Sequence, residues 1–140
     1  MYAITFFLLP ARDSAMGAEN EPRDVVMSYI GALDRLDYDG ALRFLRDDVR
    51  VRGPAGETFG APMGFIEMLR RYHGKYEIKK VFADGDEVCL WYNLKTTGPT
   101  VFMASWYQVR DGKIVSIQTI FDPRAFDSPL AKSSPEGGTT

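Results

Sequence analysis

Residues 29–56, YIGALDRLDYDGALRFLRDDVRVRGPAG, change their hydrophobic period partway along and therefore contain a transition from helix to strand. Up to Leu45 the apolar residues recur every three or four positions, which predicts amphipathic helices. From Val49 apolar and basic residues alternate, which predicts a short strand with one buried face. We expect Asp47 and Asp48 to end the second helix and lead into this strand, rather than to form a carboxylate pair for acid–base chemistry.

The helix upstream is predicted to begin at Pro22, because proline suits the first turn of a helix. Its apolar face is predicted to hold Val25, Val26, Tyr29, Ile30, Leu33 and Leu36. The sequence DYDG at 37–40 interrupts this pattern, and either Asp37 or Asp39 is expected to cap the short second helix.

A third helix is predicted over 64–73, with Gly74 as its C-cap. Its apolar side is predicted to hold Phe65, Met68, Leu69 and Tyr72. Residues 76–122 then break at ADGD, TTGP and RDG, between runs rich in β-branched and aromatic residues. These turns predict four consecutive antiparallel strands. Helices followed by a meander indicate an α+β fold with helices on one face of a curved sheet.

The chain of 140 residues is predicted to hold a single domain over 21–126, preceded by a leader over 1–20 and followed by a polar tail over 127–140. We expect both end segments to be disordered. The leader begins with the apolar sequence MYAITFFLLP, which lacks a basic start and is too short to span a bilayer. We therefore expect the protein proper to begin near Met16 and to be cytoplasmic without membrane contact, with secretion as the alternative.

The net charge and the counts of cysteine and histidine exclude several classes of function. A net charge of -2 disfavours nucleic-acid binding, because phosphate contacts need a local excess of Lys and Arg. Cys89 is the only cysteine and His73 the only histidine, so an intrachain disulfide and the usual zinc sites are excluded. We expect no metal and no cofactor, and Cys89 is interpreted as a small buried residue.

Three stretches carry a resemblance to a known family: residues 29–56, GFIEMLRRY at 64–72 and WYQVRDGKIVSIQTIFDP at 106–123. Their order resembles the nuclear transport factor 2-like superfamily, and within it the SnoaL-like and ketosteroid-isomerase-like branch, over residues 22–126. The resemblance implies a cystatin-like α+β roll, in which a strongly curved, cone-shaped antiparallel sheet wraps around N-terminal helices. It also implies a mostly apolar pocket at the open end of the cone.

The catalytic acids of those relatives are not matched in this sequence. The resemblance puts Gly53 where ketosteroid isomerases carry their aspartate base, and Ser105 where they carry a neutral carboxylic acid. It puts Thr119 where epoxide hydrolases of the superfamily carry an aspartate. Tyr29 matches the tyrosine that donates a hydrogen bond in the isomerases, and it is equally interpretable as a core residue.

His73 is the one side chain expected to titrate near neutrality. It is interpreted either as a general base or as a residue that interacts favourably with the dipole at the end of the third helix. Tyr29 and His73 are the candidate catalytic residues.

Alternation along the strands assigns the remaining side chains to faces. The resemblance directs Met103, Ser105 and Tyr107 into the pocket, and Trp91 and Asn93 are predicted to join them. The predicted lining comprises Tyr29, Met68, Tyr72, Trp91, Asn93, Met103, Ser105, Tyr107, Ile117, Thr119 and Phe121. Trp106 and Tyr92 are predicted on the outer sheet face, where exposed apolar surface commonly marks an interface. We therefore expect a homodimer.

Three functions remain open on this sequence. The first is binding of a small lipophilic metabolite that carries a carbonyl or hydroxyl group. The second is a cofactor-free isomerase, cyclase or hydrolase that uses Tyr or His instead of Asp. The third is a dimeric protein-interaction module.

Overall fold

The computed structural model describes residues 21–56, 58–59 and 61–127. The predicted disorder of the leader and of residues 128–140 lies outside the described residues. The helices are α1 Pro22–Asp34, α2 Tyr38–Leu42, α3 Pro62–Arg70 and α4 Arg124–Asp127. The strands are β1 Leu45–Arg52, β2 Thr58–Phe59, β3 Lys75–Asp84, β4 Glu87–Lys95, β5 Thr100–Arg110 and β6 Lys113–Ile120. Among the described helices, none is long and apolar enough to cross a membrane.

One six-stranded sheet runs in the order β2–β1–β6–β5–β4–β3. The strands β3 to β6 form the predicted antiparallel meander. The first strand pairs with the last, and this β1–β6 pair is parallel, so the sheet is mixed. The α+β fold with N-terminal helices on a curved sheet is confirmed; the parallel pair was not predicted, because hairpin signals reveal only sequential strand pairs.

Two of the hairpin turns need residues with a positive φ, a backbone conformation that few residue types adopt readily. Asp111 and Gly112 join β5 to β6 with φ angles of 52° and 76°. Positive φ at both central positions is the requirement of a two-residue type I′ turn, for which Asp-Gly is a favoured sequence. Gly85 turns the β3–β4 hairpin with φ 62°.

Helix α1 buries its apolar face against the inner side of the sheet. Its buried residues are Val25, Val26, Tyr29, Ile30, Ala32 and Leu33. The helix ends at Asp34, and Leu36 lies beyond it with φ 63° and 41% exposure, so its assignment to the apolar face was wrong. Asp37 caps α2, because its side chain accepts a hydrogen bond of 3.0 Å from the backbone N–H of Gly40.

The junction between helix and strand lies earlier than predicted. Helix α2 ends at Leu42 and β1 already begins at Leu45, so Asp47 and Asp48 lie inside the strand instead of ending a helix. Both are exposed, and the β1–β6 register is irregular between Leu45 and Arg50. A hydrogen bond from Arg46 holds the pKa of the Asp48 carboxyl below its usual value. A solvated ion pair on a strand fits a structural role for Asp48.

Helix α3 ends earlier than the predicted 64–73, because a tight turn follows Arg70. His73, rather than Gly74, takes the left-handed conformation, with φ 48°. Gly74 is therefore not the C-cap. It is buried at the point where the chain enters β3, directly against Leu94.

The faces of β4 are reversed relative to the prediction. Val88, Leu90, Tyr92 and Leu94 are buried, whereas Trp91 is 46% exposed on the outer face. Asn93 lies on that outer face too, because it pairs with the exposed Phe102 and its amide donates to Glu77. Placing Trp91 and Asn93 inward and Tyr92 outward was thus wrong. Trp106 lies on the outer face as predicted.

Candidate functional site

An apolar cavity of about 260 Å³ lies between α3, the end of β1, the inner face of β3 to β6 and the chain after β6. Its lining residues are Val51, Arg52, Gly53, Pro54, Phe65, Met68, Leu69, Tyr72, Tyr76, Tyr92, Leu94, Met103, Thr119, Phe121, Pro123 and Phe126. Most of these side chains are aliphatic or aromatic, as in ligand pockets in general.

Aromatic pairs form two parts of the cavity wall. The rings of Tyr76 and Tyr92 lie 5.4 Å apart on neighbouring strands. Phe126 of α4 contacts Phe121 at 5.5 Å and Tyr72 at 5.4 Å between ring centroids. Residues 121–126, which follow the last strand, thus close one side of the cavity against the turn after α3.

A chain of three hydroxyl groups crosses the inner face of the sheet. The hydroxyl of Tyr92 lies 2.8 Å from Oγ of Ser105, which lies 2.8 Å from Oγ1 of Thr119. The strand register explains this proximity. Ser105 faces Thr119 directly across β5 and β6, and Tyr92 lies two residues along β4 from Leu90, the direct partner of Ser105, on the same face of the sheet. Tyr92 and Thr119 also line the cavity, whereas Ser105 is buried between them.

Charged groups are scarce in this site. Arg52 at the end of β1 is the one charged residue in the described lining, and that lining holds no carboxylate, imidazole or thiol. Burial raises the pKa of Tyr92 to about 12 and the pKa of Tyr76 well above its usual value. These phenols therefore stay protonated at neutral pH and can act as hydrogen-bond donors.

The predicted lining residues divide into two groups. Met68, Tyr72, Met103, Thr119 and Phe121 line the cavity. The others do not, namely Tyr29, Trp91, Asn93, Ser105, Tyr107 and Ile117.

Tyr29, Tyr107 and Ile117 of the second group face the interior but are packed within the core. The rings of Tyr29 and Tyr107 meet edge to face at 6.2 Å. Burial is also the main reason why the pKa values of both phenols lie well above the usual value. Alternation predicts which face a residue takes, but α1 covers part of the inner face and leaves these three side chains no cavity to line.

The two candidate catalytic residues are not brought together. Tyr29 is 1% exposed inside the core, whereas the side chain of His73 is on the surface after α3 and outside the cavity lining.

The turn after β1 does reach the site, and Gly53 lines the cavity there. Partial burial raises the pKa of the Cys89 thiol, and Cys89 lies on the outer side of β4.

Several lining residues were not predicted. Tyr92 and Leu94 were missed because the inner and outer faces of β4 were exchanged in the prediction. The alternation of apolar residues at Val88, Leu90, Tyr92 and Leu94 does carry the correct signal. Phe126 was placed at the end of the domain without a role, because no periodic pattern in so short a segment shows that it folds back on Tyr72.

Residues 26–117 match the SnoaL-like domain family. This chain belongs to that family. No curated protein matches the chain. Its SnoaL-like fold is shared with an NTF2-like protein of unknown function from Cytophaga hutchinsonii, at 27% identity over 76% of this chain and 95% of that one, with a TM-score of 0.72.

More distant structures share the fold of this SnoaL-like protein. A putative ketosteroid isomerase from Kribbella flavida is 16% identical over 85% of this chain and 90% of its own, with a TM-score of 0.67. An LEH-like epoxide hydrolase from M. tuberculosis is 20% identical over 81% and 92%, with a TM-score of 0.67. At these identities the likeness concerns the fold alone, because one fold supports many functions.

Proposed function

We propose that this SnoaL-like protein binds a small lipophilic metabolite carrying a carbonyl or hydroxyl group. The observation that carries the proposal is the cavity itself, whose mostly apolar wall includes Tyr92 and Thr119, the two ends of the hydroxyl chain that runs through the buried Ser105. Ligand pockets combine such apolar walls with a few polar groups that orient the ligand.

The dimensions of the cavity limit the size of the ligand. Its volume of about 260 Å³ lies just below the range of roughly 300–1,000 Å³ that is usual for ligand pockets. A compound with one or two rings fits this space better than a larger multi-ring compound. Residues 121–126 would cover such a compound on one side, where Phe126 contacts Tyr72.

A cofactor-free isomerase, cyclase or hydrolase is less well supported, because the residues on which it would depend are apart. Tyr29 is enclosed in the core and His73 is outside the lining. The described cavity lining holds no carboxylate or imidazole that could serve such an enzyme as a general base.

The binding proposal is tested by filling the cavity. Leu69→Trp adds bulk to a lining residue, and Met63→Trp makes a matched change on the same helix at a residue that is 54% exposed. Titration of acetophenone into the full chain, followed by NMR of the Met68 and Met103 methyl groups, should give saturable shifts in the parent and in Met63→Trp. Leu69→Trp should abolish them. Equal binding by all three proteins would contradict the proposal.

A homodimer formed through the outer sheet face is part of the proposal. Phe82, Trp91 and Phe102 form a row of ring contacts on that face, with centroids 6.4 and 5.9 Å apart. Each of the three is about half exposed in the single chain. A contiguous aromatic surface of this kind is costly to leave in water, and a second copy of the chain would cover it. This leaves the cavity on the opposite face of the sheet free for its ligand.

A cytoplasmic location is proposed as well. The mass of the intact protein isolated from its own cells tests it, since cleavage shortly after Ser14 would instead support secretion.

A further inference from the structure

The described lining of the cavity carries four hydroxyl groups, on Tyr72, Tyr76, Tyr92 and Thr119. Tyr92 and Thr119 each form a hydrogen bond with the buried Ser105. Tyr72 is 36% exposed, so water can reach it from outside the protein. The partner of the Tyr76 hydroxyl is the one that these contacts do not account for.

Tyr76 is directed into the interior of the protein. It pairs across β3 and β4 with Leu94, which is buried and lines the cavity, and its ring contacts that of Tyr92. Burial is the main cause of the raised pKa of its phenol, and nearby groups that include Tyr92 and Asp34 add to the rise. The phenol is thus removed from bulk water and keeps its proton at neutral pH.

No described residue forms a hydrogen bond with the Tyr76 hydroxyl. Asp34 accepts from the backbone N–H of Tyr76 and not from its phenol. Of the described side-chain groups that lack a partner, only the Tyr38 hydroxyl is fully enclosed, so the Tyr76 hydroxyl has open space beside it. Since Tyr76 lines the cavity, a ligand there can reach this donor.

Two other inward-facing phenols are less suited to meet a ligand. Neither Tyr29 nor Tyr107 is part of the described lining. The phenol of Tyr107 is also within hydrogen-bonding reach of Ser105, which opposes the rise in its pKa. Tyr76 therefore combines access to the cavity with a hydroxyl that no described residue engages.

The Tyr76 hydroxyl and the closing aromatic residues lie on different sides of the cavity. Strand β3 carries Tyr76 and strand β6 leads into Phe121, and β4 and β5 separate these two strands in the sheet. Three strand spacings correspond to about 14 Å along the curved sheet. The ring contact between Phe121 and Phe126 is thus remote from the phenol of Tyr76.

We propose that Tyr76 recognises the oxygen of the ligand, and that the ligand carries an acceptor oxygen at one end and an apolar ring at the other. The inference rests on the proposed binding function and deepens it. The Tyr76 hydroxyl donates to the oxygen, and the ring packs toward Phe121 and Phe126. A compound of the same shape without an acceptor leaves the proton of Tyr76 unpaired, which is costly away from water.

The test compares acetophenone with α-methylstyrene, in which a methylene group replaces the carbonyl oxygen at nearly the same shape. Their dissociation constants are measured on the full chain by NMR of the Met68 and Met103 methyl groups. Tyr76→Phe removes the hydroxyl and keeps the ring. Tyr38→Phe makes the same change at a buried phenol outside the described lining.

We expect the preference for the ketone over the alkene to fall about tenfold in Tyr76→Phe, the weight of one hydrogen bond. Tyr38→Phe should keep the parent preference. An unchanged preference in Tyr76→Phe with both probes still bound, or an equal fall in the two variants, overturns the inference and leaves the binding function standing. A preference that falls in Tyr29→Phe or Thr119→Val instead of Tyr76→Phe also overturns it. Failure of both probes to bind the parent protein overturns the inference and the binding function together.

A second measurement needs no variant. In the parent protein labelled with ¹³C at Cζ of tyrosine, the Cζ resonance of Tyr76 should shift more with acetophenone than with α-methylstyrene. The reason is that a hydrogen bond donated by the phenol changes the shielding of this carbon. Equal shifts of Tyr76 with the two probes, or a larger ketone-specific shift at Tyr92, overturn the inference.

Discussion

Gly74 packs so closely against Leu94 that a Cβ at position 74 would lie 2.5 Å from Cδ1 of Leu94. Gly74 does not have a positive φ, so the need for glycine here comes from the neighbouring side chain and not from the backbone. Because Leu94 also lines the cavity, this contact couples the turn before β3 to the shape of the cavity.

Gly74→Ala should therefore displace Leu94 and lower the free energy of unfolding by about 1–3 kcal/mol, the usual cost of overpacking. Urea unfolding followed by circular dichroism measures the change. The control is Gly64→Ala in α3, where a Cβ would meet nothing within 4 Å. That substitution should stabilise the protein by about 0.4–1 kcal/mol. Similar effects of the two substitutions would contradict the steric explanation.

Asp34 joins the end of α1 to the edge strand β3. Its Oδ1 accepts a hydrogen bond of 2.8 Å from the backbone N–H of Tyr76. Asp34→Ala leaves this N–H without the carboxylate and should cost about 1–3 kcal/mol of unfolding free energy. Asp34→Asn retains an acceptor oxygen and should cost clearly less. If urea unfolding gives equal losses for the two variants, the hydrogen bond is not what stabilises the junction.

The buried tyrosines predict a stability limit at high pH. Burial raises the pKa of Tyr92 to about 12 and holds those of Tyr29, Tyr76 and Tyr107 well above the usual value. An unfolded tyrosine ionises near pH 10, so above that pH the unfolded state loses protons that the folded state keeps. The stabilisation is thus fully present below about pH 10 and is lost as the pH rises toward about 12.

Urea unfolding measured at increasing pH should show a constant free energy up to about pH 9 and then a steep fall. Tyr92→Phe removes one titrating phenol, so its stability should fall less steeply over this interval, although its value at neutral pH is lowered by the lost hydrogen bond. The same slope in the variant and the parent would show that Tyr92 does not contribute to the alkaline loss.

The proposed homodimer predicts that a single charge on the outer sheet face yields monomers. Phe102→Glu places a carboxylate in the aromatic row, and it should shift the sedimentation equilibrium from dimer to monomer at micromolar concentration. The residue is 53% exposed in the single chain, so the fold should persist. Met63→Glu, at a residue with 54% exposure on α3, should leave the dimer intact. A parent protein that sediments as a monomer would contradict the dimer.

The fold was predictable because its signals are local. The DYDG cap, the Asp-Gly turn and the helical spacing from Val25 to Leu33 each depend on a few neighbouring residues. Asp47 and Asp48 were misplaced because consecutive exposed charged residues, at the irregular part of the β1–β6 pairing, carry neither a helical nor a strand period.

The site was less predictable because it depends on contacts between strands. Trp91 and Tyr92 are adjacent and both large, so size does not decide which of them faces inward. Tyr92 faces inward with its hydroxyl next to Ser105, a partner that only the β4–β5 register provides. The hydroxyl chain needs the register of three strands at once, and the closing residue Phe126 needs the path of the chain after β6.

The parallel pairing of β1 with β6 also governs the order of synthesis and folding. Val51 lies beside Ile117, so the inner edge of the first strand has no neighbour until the last strand has been made. Contacts between residues so distant in sequence slow folding, because the chain between them must be ordered first. During translation the α1 helix and the β3–β4 hairpin can form early, whereas the cavity, which needs Thr119 and the segment after it, is completed only as the end of the domain leaves the ribosome.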